Sequence, residues 1–295
     1  MEREEKILRK QLKYRKRTAW LFCLPAIAAN LIFGWYPLFL GFIVLFYKWP
    51  IFGSPSFIGW SNFQAVFNDP VLTTSIANTF YFAFLKIALT FIIPIIVSIM
   101  LMEMKPRTIR LMMILWFIPI ASMASIVIWK YFYNPRWGLF NGVFQFLGLP
   151  TSQWLDSSRI AMLCIVLPGL IMYGPGLVYI ATLQSIPQEY YEAAELEGAG
   201  FWRKVWSITL PRIRPIIAMM LILAVIGSMQ TFDAIFVMTG GGPGYTTTTL
   251  IMRFFKIGFE NMQYGRGAVY ALLLFLMIMT LIIIQRKYFK EDVDK

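Results

Sequence analysis

Gln188, Glu192 and Glu195 fall at i, i+4 and i+7, so a helix gathers them into one polar stripe, with Tyr191 and Ala194 expected nearly opposite. Glu192 and Glu195 lie within, and Gln188 just before, Tyr190 to Pro215, a polar passage wedged between two long apolar runs. Elsewhere the chain holds little for making or breaking bonds. It has no histidine, its only cysteines (Cys23 and Cys164) lie inside apolar runs, and its apolar runs show no paired carboxylates or nucleophile-base arrangement. A membrane-embedded transferase or protease is therefore disfavoured, and neither a metal site nor a catalytic residue is expected. Polar side chains that could hydrogen-bond a ligand stand inside the apolar runs at Ser122, Tyr173, Ser228, Gln230 and Asp233. Tyr173 offers both a stacking face and a hydroxyl.

The elements around the stripe are readable locally. Ser185 and Gln188 have capping-box spacing with Pro187 between them, which places a helix start near Ile186. Gly198 can end that helix, because glycine accepts a left-handed backbone at low cost. A second short helix is expected from Phe201 to about Thr209, with Phe201, Trp202, Val205, Trp206 and Ile208 on one arc and Arg203, Lys204 and Ser207 on the other. The result is a helix-turn-helix hairpin with an apolar underside. By its physical character alone, such a hairpin also fits an amphipathic element lying on lipid.

Of the 295 residues 58% are hydrophobic, more than a soluble domain needs, so a multi-span membrane protein is expected. A basic segment, 1–17, precedes Thr18 to Tyr47, which carries no charge and reads as an uncleaved first span. Further runs at 70–102 (interrupted by Lys86), 111–129, 160–188, 215–232 and 267–285 bring the count to six spans, each near the roughly 20 residues that cross a core of about 30 Å. Nineteen of the 27 Lys and Arg lie in 1–17, 103–110, 184–214 and 285–295, against seven in 48–71, 130–159 and 239–267. That asymmetry puts both termini and the hairpin in the cytosol, so the net charge of +12 reports topology and requires no nucleic-acid partner. The expected organisation is a cytosolic segment 1–17, a six-span domain 18–284 with a cytosolic loop at 185–214, and a cytosolic tail 285–295.

Helix breakers fall near one plane: Pro94, Pro119 beside Ser122, Tyr173-Gly174-Pro175-Gly176, and Gly227-Ser228. Interrupted spans either line a water-filled cavity, where transporters place substrate, or kink for packing alone. Counting from Glu103, Lys86 lies about 25 Å up its span, where snorkelling to the outer interface accounts for it. Asp233, about 28 Å above Arg214, either meets ligand hydroxyls or caps the following turn. The loop TGGGPGYTTTT, Thr239 to Thr249, lacks the lysine of a phosphate-binding loop, and no G-x-x-x-x-G-K-[ST] occurs in the chain.

Glu192-Ala193-Ala194, Gly198 and Ile208-Thr209-Leu210-Pro211 resemble the EAA loop of permease subunits of binding-protein-dependent ABC importers. FIGWSNFQAVFNDP with Asn78-Thr79, and the TGGGP segment, resemble the carbohydrate-type members. The resemblance implies an all-α membrane protein of six transmembrane helices, like the type I importer permeases, in a bacterial or archaeal cytoplasmic membrane. It also implies a second homologous permease, a cytosolic ATPase dimer that binds ATP and Mg, and an extracytoplasmic solute-binding protein. Carried over by position, Glu192 meets a basic group of the ATPase, Ala193 and Ala194 keep the helix thin, Gly198 makes the turn, and Glu195 shares the coupling face. The alternative is an ion-coupled secondary transporter or channel without an ATPase, but mid-depth acids and paired repeats are not evident in the sequence.

Overall fold

The computed structural model describes residues 18, 20–117, 123–170 and 176–293. Ser122 and Tyr173 lie outside that set. The described chain is almost entirely helical: α1 Trp20–Val44, α2 Ser61–Phe67, α3 Leu72–Thr90, α4 Ile92–Met102, α5 Pro106–Phe117, α6 Met123–Phe132 and α7 Leu139–Phe146. There follow α8 Ala161–Leu170, α9 Gly176–Gln184, α10 Glu189–Leu196, α11 Phe201–Lys204, α12 Leu210–Met229, α13 Asp233–Met238, α14 Leu250–Phe255 and α15 Tyr264–Val293. A two-residue antiparallel pair, β1 Tyr47–Lys48 with β2 Ser56–Phe57, closes the first loop.

Six spans are expected from the sequence. Among the described residues four helical stretches are long and apolar enough to cross a membrane: Trp20–Val44, Leu72–Met102, Phe201–Met238 and Tyr264–Lys287. Of the other two expected spans the described residues show α5 and α6, before and after 118–122, and α8 and α9, before and after 171–175. Pro119, Gly174 and Pro175, expected as helix breakers, lie outside the described residues.

Leu72–Met102 is the centre of the bundle. Its Leu72 and Ala83 pack into a cluster with Leu45, Val66, Met229, Leu250, Val269, Tyr270 and Leu274, which joins α2, α12, α14 and α15. Its Phe82 enters a second cluster with Tyr133, Met162, Ile165, Ile235, Met238 and Met252. Ser98 donates to the carbonyl of Gly176 (3.2 Å), and Gly169 leaves room for Thr90, whose methyl would lie 2.9 Å from a Cβ there. Small residues thus let α8 and α9 approach α3 and α4 closely, the packing on which helices in lipid depend because burial of apolar surface gains little there. By contrast α1 buries none of its side chains, and Phe22, Phe33 and Phe39 lie exposed along it.

Candidate functional site

The hairpin forms, with two corrections. The capping box is not made: Ser185 donates instead to the carbonyl of Thr182 (2.7 Å), and α10 starts after Gln188 without a side-chain cap. The Ser185 amide bonds the same Thr182 carbonyl (3.1 Å), so the hydroxyl follows its own backbone back into the preceding turn, while Pro187 sits where an amide would be. The C-terminus behaves as expected. Gly198 adopts φ +77°, its amide bonds the Glu195 carbonyl and the Ala199 amide bonds the Ala194 carbonyl, both at 2.9 Å. Those two bonds form a Schellman motif, which satisfies carbonyls that the helix end would leave bare.

Nor does the second helix of the hairpin stop at Thr209. From α11 the chain passes through a wide π turn, Val205–Thr209, directly into α12. The face assignments change as well: Val205 and Thr209 are buried, while Trp202 and Trp206 each stand 70% exposed beside Arg203 and Ser207. Lys204 turns inward instead, with its side chain 12% exposed, and pairs with Glu195 at 2.6 Å.

That pair divides the expected polar stripe. Gln188, Tyr191 and Glu195 line a cavity of about 350 Å³ shared with Met102, Glu103 and Thr209. Tyr191, expected opposite Glu195, lies on the same side because four residues of helix return within about 40° of the start. Its hydroxyl shares a hydrogen bond with Thr209 (3.0 Å), and Arg212 stacks 3.7 Å from the Tyr190 ring. Glu192 and Ala193 face outward, with Leu196 91% exposed and Gly198 open beside them. The hairpin is thus braced from within by Glu195, Tyr191 and Tyr190 and presents Glu192, Ala193, Leu196 and Gly198 outside.

The fifth span is interrupted later than expected. α12 runs through Gly227 and Ser228 and ends at Met229, leaving Gln230, Thr231 and Phe232 between it and α13. Ser228 is buried and donates to the Val225 carbonyl (2.9 Å). Gln230 is exposed and borders a cavity of about 320 Å³ with Ile226, Phe254, Leu274 and Ile278. Asp233 occupies the exposed first turn of α13 without a capping hydrogen bond, so its carboxylate favours that terminus only through the helix dipole.

Lys86 does not snorkel. Its Nζ donates to Thr231 Oγ1 (2.8 Å), and that hydroxyl donates to the carbonyl of Gly227 (2.8 Å). The expected depth assumed that the span begins at Glu103. Lys86 stands midway along the 31 residues of the Leu72–Met102 stretch.

At the end of the bundle opposite the hairpin, residues without an assigned role in the sequence prove decisive. Asp69 accepts the Val71 amide at the start of α3 (2.9 Å) and also holds Arg253 and the Tyr270 hydroxyl. Burial alone would raise the Asp69 carboxyl. Hydrogen bonds from Tyr270, Val71 and Arg253, with the arginine's charge, outweigh it and hold the group below its ordinary 3.8. Asn78 donates to the carbonyls of Tyr245 (2.8 Å) and Thr248 (3.0 Å), and Thr79 accepts the Leu250 amide (3.0 Å). Lys256 is spent on the Gly240 carbonyl (2.7 Å). Gly241, at φ +93°, leaves no room for a Cβ beside Thr248 Oγ1 (2.6 Å). The glycine-rich loop is therefore a braced cap on α3. An Asn-Thr pair inside an apolar run, with a run of threonines elsewhere, was the available signal.

Comparison with known proteins agrees with this architecture. Residues 107–290 match the family described as binding-protein-dependent transport system inner membrane component. The trehalose/maltose transport system permease protein of Thermococcus litoralis is 31% identical over 97% of this chain and 99% of its own length. The sn-glycerol-3-phosphate transport system permease protein of Pectobacterium atrosepticum is 30% identical over 94% of this chain and 97% of its own. A chain in the crystal structure of a bacterial alginate ABC transporter, in complex with a periplasmic protein bound to an alginate pentasaccharide, superposes with a TM-score of 0.83. That match covers 94% of this chain and 95% of the other at 21% identity.

Proposed function

Because the chain belongs to the binding-protein-dependent transport system inner membrane components, we propose that it is a permease subunit of an ATP-driven importer of carbohydrates. A solute-binding protein delivers the substrate on the extracytoplasmic side. This chain and a second permease enclose the path, and a separate ATPase dimer drives it from the cytosol. The hairpin is the coupling element. In this reading the hairpin end is cytosolic, both termini lie on that side, and α5–α6 and α8–α9 are the third and fourth of six spans.

The observation that carries the reading is the construction of the hairpin tip. A helix shut by a left-handed glycine, braced on its inner side and bearing an exposed, unpartnered Glu192 beside small Ala193, is built to seat in another protein. Its carboxylate supplies one half of an ion pair, and Ala193 lets the helix approach closely. The chain has no nucleotide motif of its own, so hydrolysis belongs to the partner. Substrates named for the relatives include neutral sugars and a glycerol phosphate, which sets the class without choosing its member.

Purification from the native host in mild detergent, followed by mass spectrometry, tests the assignment. Stoichiometric recovery of an ATPase and a second permease is the expected result. A stable homo-oligomer free of any ATPase would overturn it in favour of an ion-coupled carrier. ATP-dependent saccharide uptake by the reconstituted assembly completes the test.

A further inference from the structure

Lys86 stands where two interruptions of the bundle meet. Phe91, one turn below it, separates α3 from α4. Thr90, which donates to the Lys86 carbonyl (2.7 Å), packs against Gly169 of α8. Thr231, the hydrogen-bond partner of Lys86, lies in the interruption of the fifth span. On the outer elements Arg253 is ion-paired with Asp69, while Lys256 and Lys130 each give one N–H to a carbonyl, of Gly240 and Val237. Lys86 is engaged only in part. Its ammonium has three N–H bonds, one is given to Thr231, and the Phe82 ring lies 5.8 Å away. Among the described residues no carboxylate pairs with it.

A purely structural role accounts for less than this. The end of α12 attracts a cation, but a helix terminus repays only part of the cost of holding an ammonium within a span. Thr231 is already bonded to the Gly227 carbonyl and does not need the lysine to satisfy its own hydrogen. A cation at the convergence of broken helices, with donors unspent, is suited to an oxyanion that comes and goes.

We propose that Lys86 selects an anionic group, a carboxylate or phosphate carried on a saccharide or polyol, as the substrate passes the interruptions in the spans. The proposal rests on the import function given above. The ammonium donates its remaining N–H bonds to the oxyanion, and Thr231 holds the amine beside the break in the fifth span.

The test uses the whole importer in proteoliposomes, with binding protein on one side and ATP on the ATPase side. Initial uptake is compared for a neutral disaccharide, a disaccharide of the same size bearing a uronic carboxylate, and glycerol 3-phosphate. Wild type is expected to import at least one of the two anions. Lys86→Gln is expected to lower that uptake at least about tenfold, while Lys86→Arg retains most of it. Assembly and basal ATP hydrolysis stay unchanged in both variants. Which anion is lost separates carboxylate from phosphate recognition. Wild-type uptake of the neutral sugar alone overturns the proposal and leaves the import function standing. So does a Lys86→Gln variant that imports the anion normally, or one that loses neutral and anionic uptake, or assembly, alike. Absence of all saccharide uptake by an ATPase-active wild-type complex removes both readings.

Discussion

Replacing Gly198 separates what that residue does for its own chain from what it does for a partner. At φ +77° any L side chain costs about 1–2 kcal/mol in backbone strain, whatever its size. Steric cost within the chain is absent, since a Cβ at Gly198 meets no atom within 4 Å. Gly198→Ala and Gly198→Trp should therefore destabilise the purified chain about equally. Thermal unfolding in one detergent, read by intrinsic fluorescence after subtraction of the added tryptophan, should give midpoints a few degrees below wild type and close to each other. Transport should separate them. If Gly198 lies against the ATPase, the alanine variant keeps most ATP-dependent uptake, and the indole of the tryptophan variant blocks seating, so uptake falls at least about tenfold while ATPase activity persists. Gly198→Asn is the control for strain, because asparagine accepts the left-handed region better than alanine. Equal uptake by the alanine and tryptophan variants would refute the docking role and leave Gly198 as a local helix stop.

Three further outcomes follow from the contacts. Asp69 has a folded pKa below its ordinary 3.8, so the stability it contributes is fully present above the unfolded value and is lost as pH falls through the folded one. Unfolding midpoints should drop on acidification below about pH 4, and Asp69→Asn should lower stability at neutral pH and flatten that acid limb. Thr79→Val leaves the buried Leu250 amide without its acceptor, which costs about 1–3 kcal/mol and should speed hydrogen exchange in α14. Glu195→Gln removes an ion pair whose acid is 60% exposed, so its stability cost should stay under about 1 kcal/mol. The double variant Glu195→Lys, Lys204→Glu should restore a stability change of that size, measured as a double-mutant cycle.

How far the chain could be read from its sequence depended on the range of each interaction. Gly198 was legible because a helix stop is settled within a few residues, and both Schellman bonds close within five positions. Pro94 likewise marked the joint at Phe91, because a proline withholds the amide that would bond the carbonyl four residues back, that of Thr90. Asp69 with Arg253, and Asn78 with Thr248, join residues 184 and 170 positions apart, and no local pattern announces such partners. The faces of the second hairpin helix were misread because apolarity was taken to mark the inner side, whereas Trp202 and Trp206, four residues apart, share an exposed face and Lys204 turns inward to an acid nine positions back. The partner of Lys86 was out of reach for the same reason as those of Asp69 and Asn78, since Thr231 lies 145 positions away.

From Lys204 to Met229 the chain is one unbroken helical rod, and Thr231 rides just beyond its tip. A rod of about 40 Å pivoted at its base swings its far end about 3.5 Å for a tilt of about 5°. The Lys86–Thr231 hydrogen bond, 2.8 Å when made, is gone beyond about 3.5 Å. A rotation at the base too small to alter the packing there can thus decide, at the other end, whether an amine is tethered or free.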